Sequence, residues 1–371
     1  MIAAATDAPS RVSEGRKNPL GCLRARYEHT RPVGTMRGSV ARAAVRETIR
    51  SGRALVRRAR TEADWHRSRP RRADVAVFHE FVAPPYGGGN QFLLALVGEL
   101  ERRGLTVEAN RISGGTPACL VNSFNFDAGR LRRFAARGAR IVHRVDGPVS
   151  AYRGFDDGTD ALVARINDDL AAATIVQSRY SLEKHRQLGL RLREPVVIRN
   201  SVDPAIFFPP TEREPLTGRR PRLIATSWSD NPRKGADALA WLDRHLDWNR
   251  YEMTFLGRAP APFERIRMLG PVGSEQVADL LRSHDVYVAS SLDDPCSNAV
   301  LEALACGLPV AYRRSGGHPE LVGEAGLPFD EPGELPTVLA QLAAELEERR
   351  AAIRVPVLAE VCDRYLEVLA G

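Results

Sequence analysis

Two carboxylates flank the start of a short helix that the sequence predicts within residues 290–320, which read SSLDDPCSNAVLEALACGLPVAYRRSGGHPE. Asp294 lies in the loop before this helix and Glu302 lies about one turn inside it, while Ser297 or Asn298 suits the N-cap position. The free N–H groups and the dipole of a helix N-terminus attract an anion such as a pyrophosphate. The two carboxylates can accept hydrogen bonds from hydroxyl groups. The pattern is typical of a nucleotide-sugar site, and an acidic turn that only complements the helix dipole has the same spacing.

The same stretch resembles the signature of the GT4 family of retaining glycosyltransferases, which have the two-lobed GT-B fold. The resemblance rests on an acidic residue separated from a Glu by seven residues, on ALACGLPV and on GGHPE. The family usually has Glu at the first acidic position, where this chain has the shorter Asp294. The resemblance implies that Asp294 binds a hydroxyl of the donor sugar, that Glu302 binds the ribose hydroxyls and that Glu320 lies near the donor sugar.

The loop that opens the second half of the chain carries two adjacent cations, Arg233 and Lys234, between a predicted strand and a predicted helix. Such a pair suits a diphosphate, and it also occurs at solvated helix entries. The GT4 family has an Arg and a Lys-Gly here; Lys234 and Gly235 match, whereas the upstream Gly-Arg is absent. We therefore predict a diphosphate site that is formed by these two cations together with the N-terminus of the helix described above. The backbone of four residues forms that N-terminus: Asn298, Ala299, Val300 and Leu301.

The first strand–loop–helix unit contains three successive glycines, Gly87, Gly88 and Gly89, which allow backbone to approach a ligand closely. A glycine run alone is often a simple turn, but this one matches the position of the GT4 glycine loop. His143 ends another predicted strand, beside Arg144 and Asp146. The resemblance implies that His143 is the active-site histidine near the donor sugar, although a histidine at a strand end is more often structural.

Alternating short strands and helices predict an α/β fold with parallel sheets. The resemblance to the GT4 family implies the GT-B type of this class, in which two doubly wound, Rossmann-like domains face a cleft. We predict five segments along the chain. They are a basic extension at 1–72, partly helical and partly disordered, a first domain at 73–208, a linker at 209–221, a second domain at 222–354, and a terminal helix at 355–371. The resemblance implies that the first domain is on the acceptor side, that the second is on the donor side and that the terminal helix packs back on the first domain.

Charge is distributed unevenly along the 371 residues. Residues 1–72 hold 18 Lys or Arg and 6 Asp or Glu, whereas the remainder holds 35 and 40. The five cysteines are scattered without a CxxC pair, which argues against a zinc site and a disulfide framework. No apolar run reaches the ~18 residues of a membrane span, and no secretory signal is present. A cytoplasmic protein is the expectation.

Residues 38–66 read as a basic helix with a thin apolar face. Such a helix can lie on an anionic membrane surface, which would place the protein peripherally at the inner membrane surface. A solvated Arg-rich extension has the same composition. We expect no nucleic-acid partner for the chain, because the basic residues lack interleaved aromatic residues and a recognised binding module.

The resulting prediction is a retaining glycosyltransferase that takes a sugar from a nucleotide-diphosphate sugar without a metal or another cofactor. Its acceptor is a glycan, a lipid-linked sugar or a small molecule. The predicted catalytic residues are His143, Asp294 and Lys234. Two other functions fit the same fold: a nucleotide-sugar epimerase, which needs general bases in the cleft, and a non-catalytic module that has lost affinity for the donor.

Overall fold

The computed structural model describes residues 73–81 and 88–371. The predicted basic extension at 1–72, its helix at 38–66 and Gly87 of the glycine loop lie outside these ranges. In the described part of the chain, no helix is both long enough and apolar enough to cross a membrane.

The first lobe is a six-stranded parallel sheet in the order β2-β1-β3-β4-β5-β6. Its strands are β1 (Val75–Phe78), β2 (Val107–Ala109), β3 (Ala118–Asn122), β4 (Arg140–Val145), β5 (Ala173–Val176) and β6 (Pro195–Val197). Its helices are α1 (Gly88–Arg102), α2 (Ala128–Ala135), α3 (Val149–Arg153), α4 (Thr159–Leu170) and α5 (Arg179–Gln187). The strands are rich in buried Val, Ile and Leu because helices cover both faces of a parallel sheet.

The second lobe repeats this plan, with its strands in the order β12-β11-β10-β7-β8-β9. Its strands are β7 (Arg222–Ser227), β8 (Glu252–Gly257), β9 (Arg267–Leu269), β10 (Val286–Ala289), β11 (Val310–Arg313) and β12 (Gly326–Phe329). Its helices are α6 (Ala236–His245), α7 (Ser274–Arg282), α8 (Asn298–Ala305), α9 (His318–Val322), α10 (Leu335–Ala344) and α11 (Leu346–Ala351). The predicted α/β class with two doubly wound lobes is confirmed.

The terminal helix α12 (Leu358–Ala370) packs on the sheet of the first lobe although it follows the second lobe in sequence. Val361, Cys362, Tyr365 and Leu369 are buried in the same apolar cluster as strand β1 and helix α1. Arg140 at the start of β4 also donates a hydrogen bond to the Val368 carbonyl, at 2.9 Å. The end of the chain therefore helps to complete the core of the first lobe.

The two lobes touch at several points around a cleft. A Cβ added to Gly147 of the first lobe would lie 2.7 Å from the Cβ of Pro295 in the second. Asn200, which follows β6, donates a hydrogen bond to the side-chain oxygen of Asn298 at 3.0 Å. The arrangement is a closed one, in which the loop that follows β4 lies directly against the loop that precedes α8.

We predict that Gly147→Ala lowers the melting temperature by about 2–10 °C, because the new methyl group overlaps the rigid ring of Pro295 and the lobes must either separate or bear the clash. Differential scanning calorimetry measures the change. The control is Gly98→Ala in helix α1, where an added Cβ has no atom within 4 Å and alanine favours the helix. A Gly147→Ala protein that melts at the wild-type temperature would contradict the interlobe contact.

Candidate functional site

A cleft of about 420 Å³ lies between the carboxyl ends of the strands in the two sheets. Ligands of open parallel sheets bind at this end, because the loops that leave the strands form a crevice there. Of the residues that the structure describes, the first lobe contributes these to the lining: Gly89, Arg144, Asp146, Tyr152, Gln177 and Asn200. The second lobe contributes the ends of β7 and β10 together with the start of α8.

Lys234 reaches the cleft from a tight turn after strand β7. The turn is a single 3-10 turn, Pro232–Lys234, in which the side chain of Asn231 accepts a hydrogen bond from the Arg233 N–H at 3.0 Å. Gly235 ends the turn at φ +95°, and a Cβ there would lie 1.9 Å from the hydroxyl oxygen of Ser290. Only glycine fits this position. Gly235 therefore allows the tight turn that places Lys234 at the cleft.

The Lys234 ammonium lies 2.8 Å from Oδ2 of Asp294, and both side chains line the cleft. Burial by itself raises the pKa of Asp294, but the charges of Lys234 and His318 and the hydrogen bond from the Cys296 N–H lower it below its ordinary value. Asp294 is therefore an anion whose counter-ion is the predicted phosphate-binding lysine. A diphosphate that enters the cleft meets Lys234 already paired with this carboxylate.

Arg233 points away from the cleft lining toward the contact between the lobes. Its guanidinium forms an ion pair with Asp293, and Asp293 also accepts a hydrogen bond from the hydroxyl of Tyr180 in the first lobe. A Cβ on Gly154, also in the first lobe, would lie 2.8 Å from the Arg233 Cδ. The structure brings Lys234 to the cleft and places Arg233 in an interlobe ion pair.

Helix α8 presents its N-terminus to the cleft. Ser297 occupies the N-cap position, but its side chain makes no capping hydrogen bond, and Asn298 and Ala299 line the cleft. Val300 and Leu301 do not take part in this lining: their side chains lie in the apolar core, and the Leu301 N–H bonds to the Ser297 carbonyl at 3.2 Å. The anion site suggested by the sequence is thus restricted to the first two residues of the helix.

Glu302 lies one turn further along α8 and lines the cleft with a carboxylate that makes no hydrogen bond or ion pair with any residue of the described ranges. Burial raises the pKa of Glu302 to about 8 from its ordinary value of 4.5. A partly buried carboxyl group without a partner is costly to keep charged. The oxygens of Glu302 can accept hydrogen bonds from the hydroxyl groups of a ligand.

Glu320 does not reach the cleft. Its two carboxylate oxygens accept hydrogen bonds from the backbone N–H groups of Arg179 and Tyr180, at 3.0 and 2.7 Å. These N–H groups form the first turn of helix α5 in the first lobe. Glu320, which the sequence assigns to the donor sugar, therefore caps a helix of the opposite lobe and tethers the two lobes.

His143 is buried on the side of strand β4 that faces away from the cleft. Its Nε2 lies 2.6 Å from the Ser123 carbonyl oxygen, and Asn167 of helix α4 lies 3.2 Å from its Nδ1. Burial lowers the pKa of His143 to about 4, against the effect of the hydrogen bond to Ser123. The structure thus separates His143 from Lys234 and Asp294, the other two predicted catalytic residues, and gives it the structural role that the sequence left open.

The cleft also contains residues that the sequence reasoning gave little or no weight. Alternation along β4 puts Arg144 on the opposite face from His143, and Asp146 follows at the strand end. Gln177 and Asn200 occupy the corresponding places after β5 and β6. The signal that finds them is positional, because the residues just beyond neighbouring parallel strands converge at one edge of the sheet. Of the glycine run, Gly88 begins α1 and Gly89 lines the cleft.

Comparison with known proteins relates part of the chain to glycosyltransferases. Residues 247–348 match the family model described as "Glycosyl transferases group 1". One of the subunits of human phosphatidylinositol N-acetylglucosaminyltransferase is 28% identical over 197 residues, which are 48% of this chain and 40% of that protein. The chain thus aligns with less than half the length of this curated relative.

Solved structures of glycosyltransferases share the fold. Sucrose-phosphate synthase from Thermosynechococcus elongatus superposes with a TM-score of 0.60 at 16% identity, covering 80% of this chain and 95% of that chain. Anabaena HepE in complex with UDP and glucose superposes with a TM-score of 0.59 at 16% identity, covering 81% of this chain and 100% of that chain. These likenesses show that the two lobes form the GT-B fold.

We predict that Glu302→Gln stabilises the protein more at pH 8 than at pH 5. The folded state keeps a proton on Glu302 up to about pH 8, whereas the unfolded state releases it near pH 4.5. The wild type therefore loses free energy of unfolding as the pH rises through this window, and glutamine, which does not titrate, escapes the loss. Melting temperatures at several pH values measure the difference between the two proteins. Glu367→Gln, an exposed position in α12, is the control, and an equal shift for Glu302→Gln at both pH values would refute the assignment.

Proposed function

We propose that the protein is a retaining glycosyltransferase that transfers a sugar from a nucleotide-diphosphate sugar to an acceptor hydroxyl. One observation carries the proposal. The ammonium of Lys234, the open N-terminus of helix α8 and the carboxyl group of Glu302, which has no partner among the residues that the structure describes, all line the same cleft. A nucleotide sugar has the complementary parts, because a diphosphate suits the cation and the helix N-terminus, and ribose hydroxyls suit the carboxylate.

The two cleft groups with positive potential would act on the leaving group. Cleavage of the bond between the sugar and the diphosphate builds negative charge on the phosphate oxygens, and fixed donors that face these oxygens lower the barrier. Lys234 is held in place by its turn and by Asp294. Transfer of the lysine from Asp294 to the diphosphate would free an oxygen of Asp294 to accept a hydrogen bond from a sugar hydroxyl.

The proposed reaction needs no metal and no other cofactor. The chain contains no Asp-x-Asp sequence, the usual metal motif of the other glycosyltransferase fold, and Lys234 with the N-terminus of α8 supplies positive potential for the phosphates. We infer a front-face reaction in which the departing phosphate accepts the proton of the acceptor hydroxyl. The new bond then forms on the face that the diphosphate leaves, so that the configuration of the sugar is retained.

The comparisons suggest which substrates to test first. HepE is described in complex with UDP and glucose, which makes UDP the first nucleotide. The human relative is named for transfer of N-acetylglucosamine to phosphatidylinositol, which makes a lipid-linked acceptor a first choice, beside glycans and small molecules. A lipid acceptor would also agree with a peripheral position of the protein at the cytoplasmic membrane surface through residues 38–66.

We predict that one nucleoside diphosphate among UDP, GDP and ADP binds and that EDTA leaves its affinity unchanged. Lys234→Ala weakens the affinity by about one to two orders of magnitude, because it removes a hydrogen bond to a charged group. Glu302→Ala weakens it by about two- to tenfold, because it removes a hydrogen bond to a carboxyl group that keeps its proton up to about pH 8. Isothermal titration calorimetry on the full chain gives the affinities. Lys184→Ala in helix α5 and Glu367→Ala in helix α12 are the controls for loss of charge outside the cleft.

Absence of binding by all three nucleotides would refute the proposed activity and favour a non-catalytic module of the same fold. Binding that disappears with EDTA would refute only the metal-free reaction. NMR of the anomeric proton distinguishes transfer from epimerisation. Transfer moves the sugar to the acceptor with its anomeric configuration retained, whereas an epimerase changes the sugar without moving it to an acceptor.

A further inference from the structure

We propose that Asp146 binds a hydroxyl of the donor sugar and is thereby a specificity-determining residue of the first lobe. The inference rests on the proposed function, because it assigns the sugar part of the nucleotide sugar to one side of the same cleft. Asp146 lies just beyond strand β4 and lines the cleft, and its side chain is 38% exposed. The residue is therefore open to a ligand and still attached to the rigid edge of the sheet.

One oxygen of Asp146 is fixed and the other is available. Oδ1 accepts a hydrogen bond from the Arg144 guanidinium at 3.0 Å and a second from the side-chain amide of Gln177. Both contacts go to the same oxygen, and Oδ2 makes no hydrogen bond with the residues that the structure describes. A carboxylate held in this way presents one acceptor in a defined direction, which is the arrangement that selects among hydroxyl positions.

The support behind Asp146 is itself rigid. Arg144 has no exposed surface, and its guanidinium donates to Asn122 at 2.6 Å, to Asn200 at 2.9 Å and to the Tyr365 hydroxyl at 3.2 Å. Because a buried guanidinium with these partners cannot turn freely, the carboxylate that it holds cannot turn freely either. The ion pair thus positions Asp146 before any ligand arrives.

The contact between the lobes places Asp146 beside the part of the second lobe that we assign to the sugar. Gly147 and Pro295 touch across the cleft, and each follows an aspartate, Asp146 in the first lobe and Asp294 in the second. The two carboxylates therefore approach the cleft from opposite lobes at the same place. Asp294 already uses both oxygens, one for Lys234 and the other for the Cys296 N–H at 3.3 Å.

The negative charge of Asp146 determines which part of the ligand can face it. A carboxylate repels the diphosphate, and the compensating charge of Arg144 is engaged in four hydrogen bonds. A neutral donor is required, and the hydroxyl groups of a sugar supply several around one ring. Since Oδ2 of Asp146 is fixed in direction, an epimer that lacks a hydroxyl in this direction loses the hydrogen bond and leaves a partly buried acceptor unpaired.

The test is the affinity that the sugar adds to the diphosphate, measured by calorimetry on the full chain with UDP and UDP-glucose, or with the matching pair for GDP or ADP. Asp146→Asn should bind the bare diphosphate within twofold of the wild type and should bind the nucleotide sugar at least tenfold more weakly. Gln177→Leu, which removes one bond to Oδ1, should reduce the same increment by a smaller factor. Asp168→Asn, at an exposed position of helix α4, should change neither affinity.

Monodeoxy analogues of the nucleotide sugar identify the hydroxyl. One analogue should bind more weakly than the parent sugar to the wild type and equally to Asp146→Asn, because the hydrogen bond that it lacks is already missing in the variant. A parallel loss of diphosphate and nucleotide-sugar affinity in Asp146→Asn would show a structural role and overturn the assignment. So would an unchanged sugar increment, or a wild type in which the sugar adds no affinity. A wild type that binds no diphosphate at all would instead fail the proposed function, and with it the premise of this assignment.

Discussion

The buried guanidinium of Arg144 is the interaction on which the cleft depends. A charge without exposed surface is tolerated only when its hydrogen-bonding groups are satisfied, since removal of one partner costs several kcal/mol. Its four partners come from distant parts of the chain: Asn122 at the end of β3, Asp146 after β4, Asn200 after β6 and Tyr365 in the terminal helix. The aromatic ring of Phe92 in α1 packs against the same group at 5.2 Å. One cation thus fixes three strand ends and two helices relative to one another.

The position of the second lobe follows from the same network. Asn200 accepts from Arg144 with its oxygen and donates to Asn298 with its amide, so that the first residue of helix α8 is linked to the buried cation of the opposite lobe. Glu320 strengthens the link by capping α5, and Gly147 permits the close approach of Pro295. Polar contacts of this kind hold the lobes together at the cleft, and a ligand that binds both lobes favours the closed form.

The charges of the cleft fit the anion and the hydroxyl groups of the proposed donor. Lys234 is neutralised by Asp294, whereas Glu302 has no partner among the described residues and its pKa rises to about 8. Under the proposed function, a diphosphate would offer Lys234 a second anion, and hydroxyl groups would offer Glu302 the hydrogen-bonding partners that the described residues do not supply. The free protein already bears the cost of removing the Glu302 carboxyl group from water, so that a ligand which hydrogen-bonds to this group does not have to supply that cost. Such unfavourable burial is common at functional sites.

The sequence by itself determined the elements and the local part of the site. Strand–loop–helix alternation predicted two doubly wound lobes, and the turn that holds Lys234 and the open N-terminus of α8 are set by residues within a few positions of one another, such as Gly235 and Ser297. The sequence ended strand β4 at His143, whereas the strand continues to Val145. His143 and Arg144 are therefore on opposite faces of the sheet, and only the packed structure shows that Arg144 is the one that lines the cleft. Only the tertiary structure brought Arg144 to Tyr365, which lies 221 residues away, and Glu320 to helix α5 of the other lobe. Local sequence propensities do not show which distant segments meet in space. Contacts of this kind form only after the complete chain has packed.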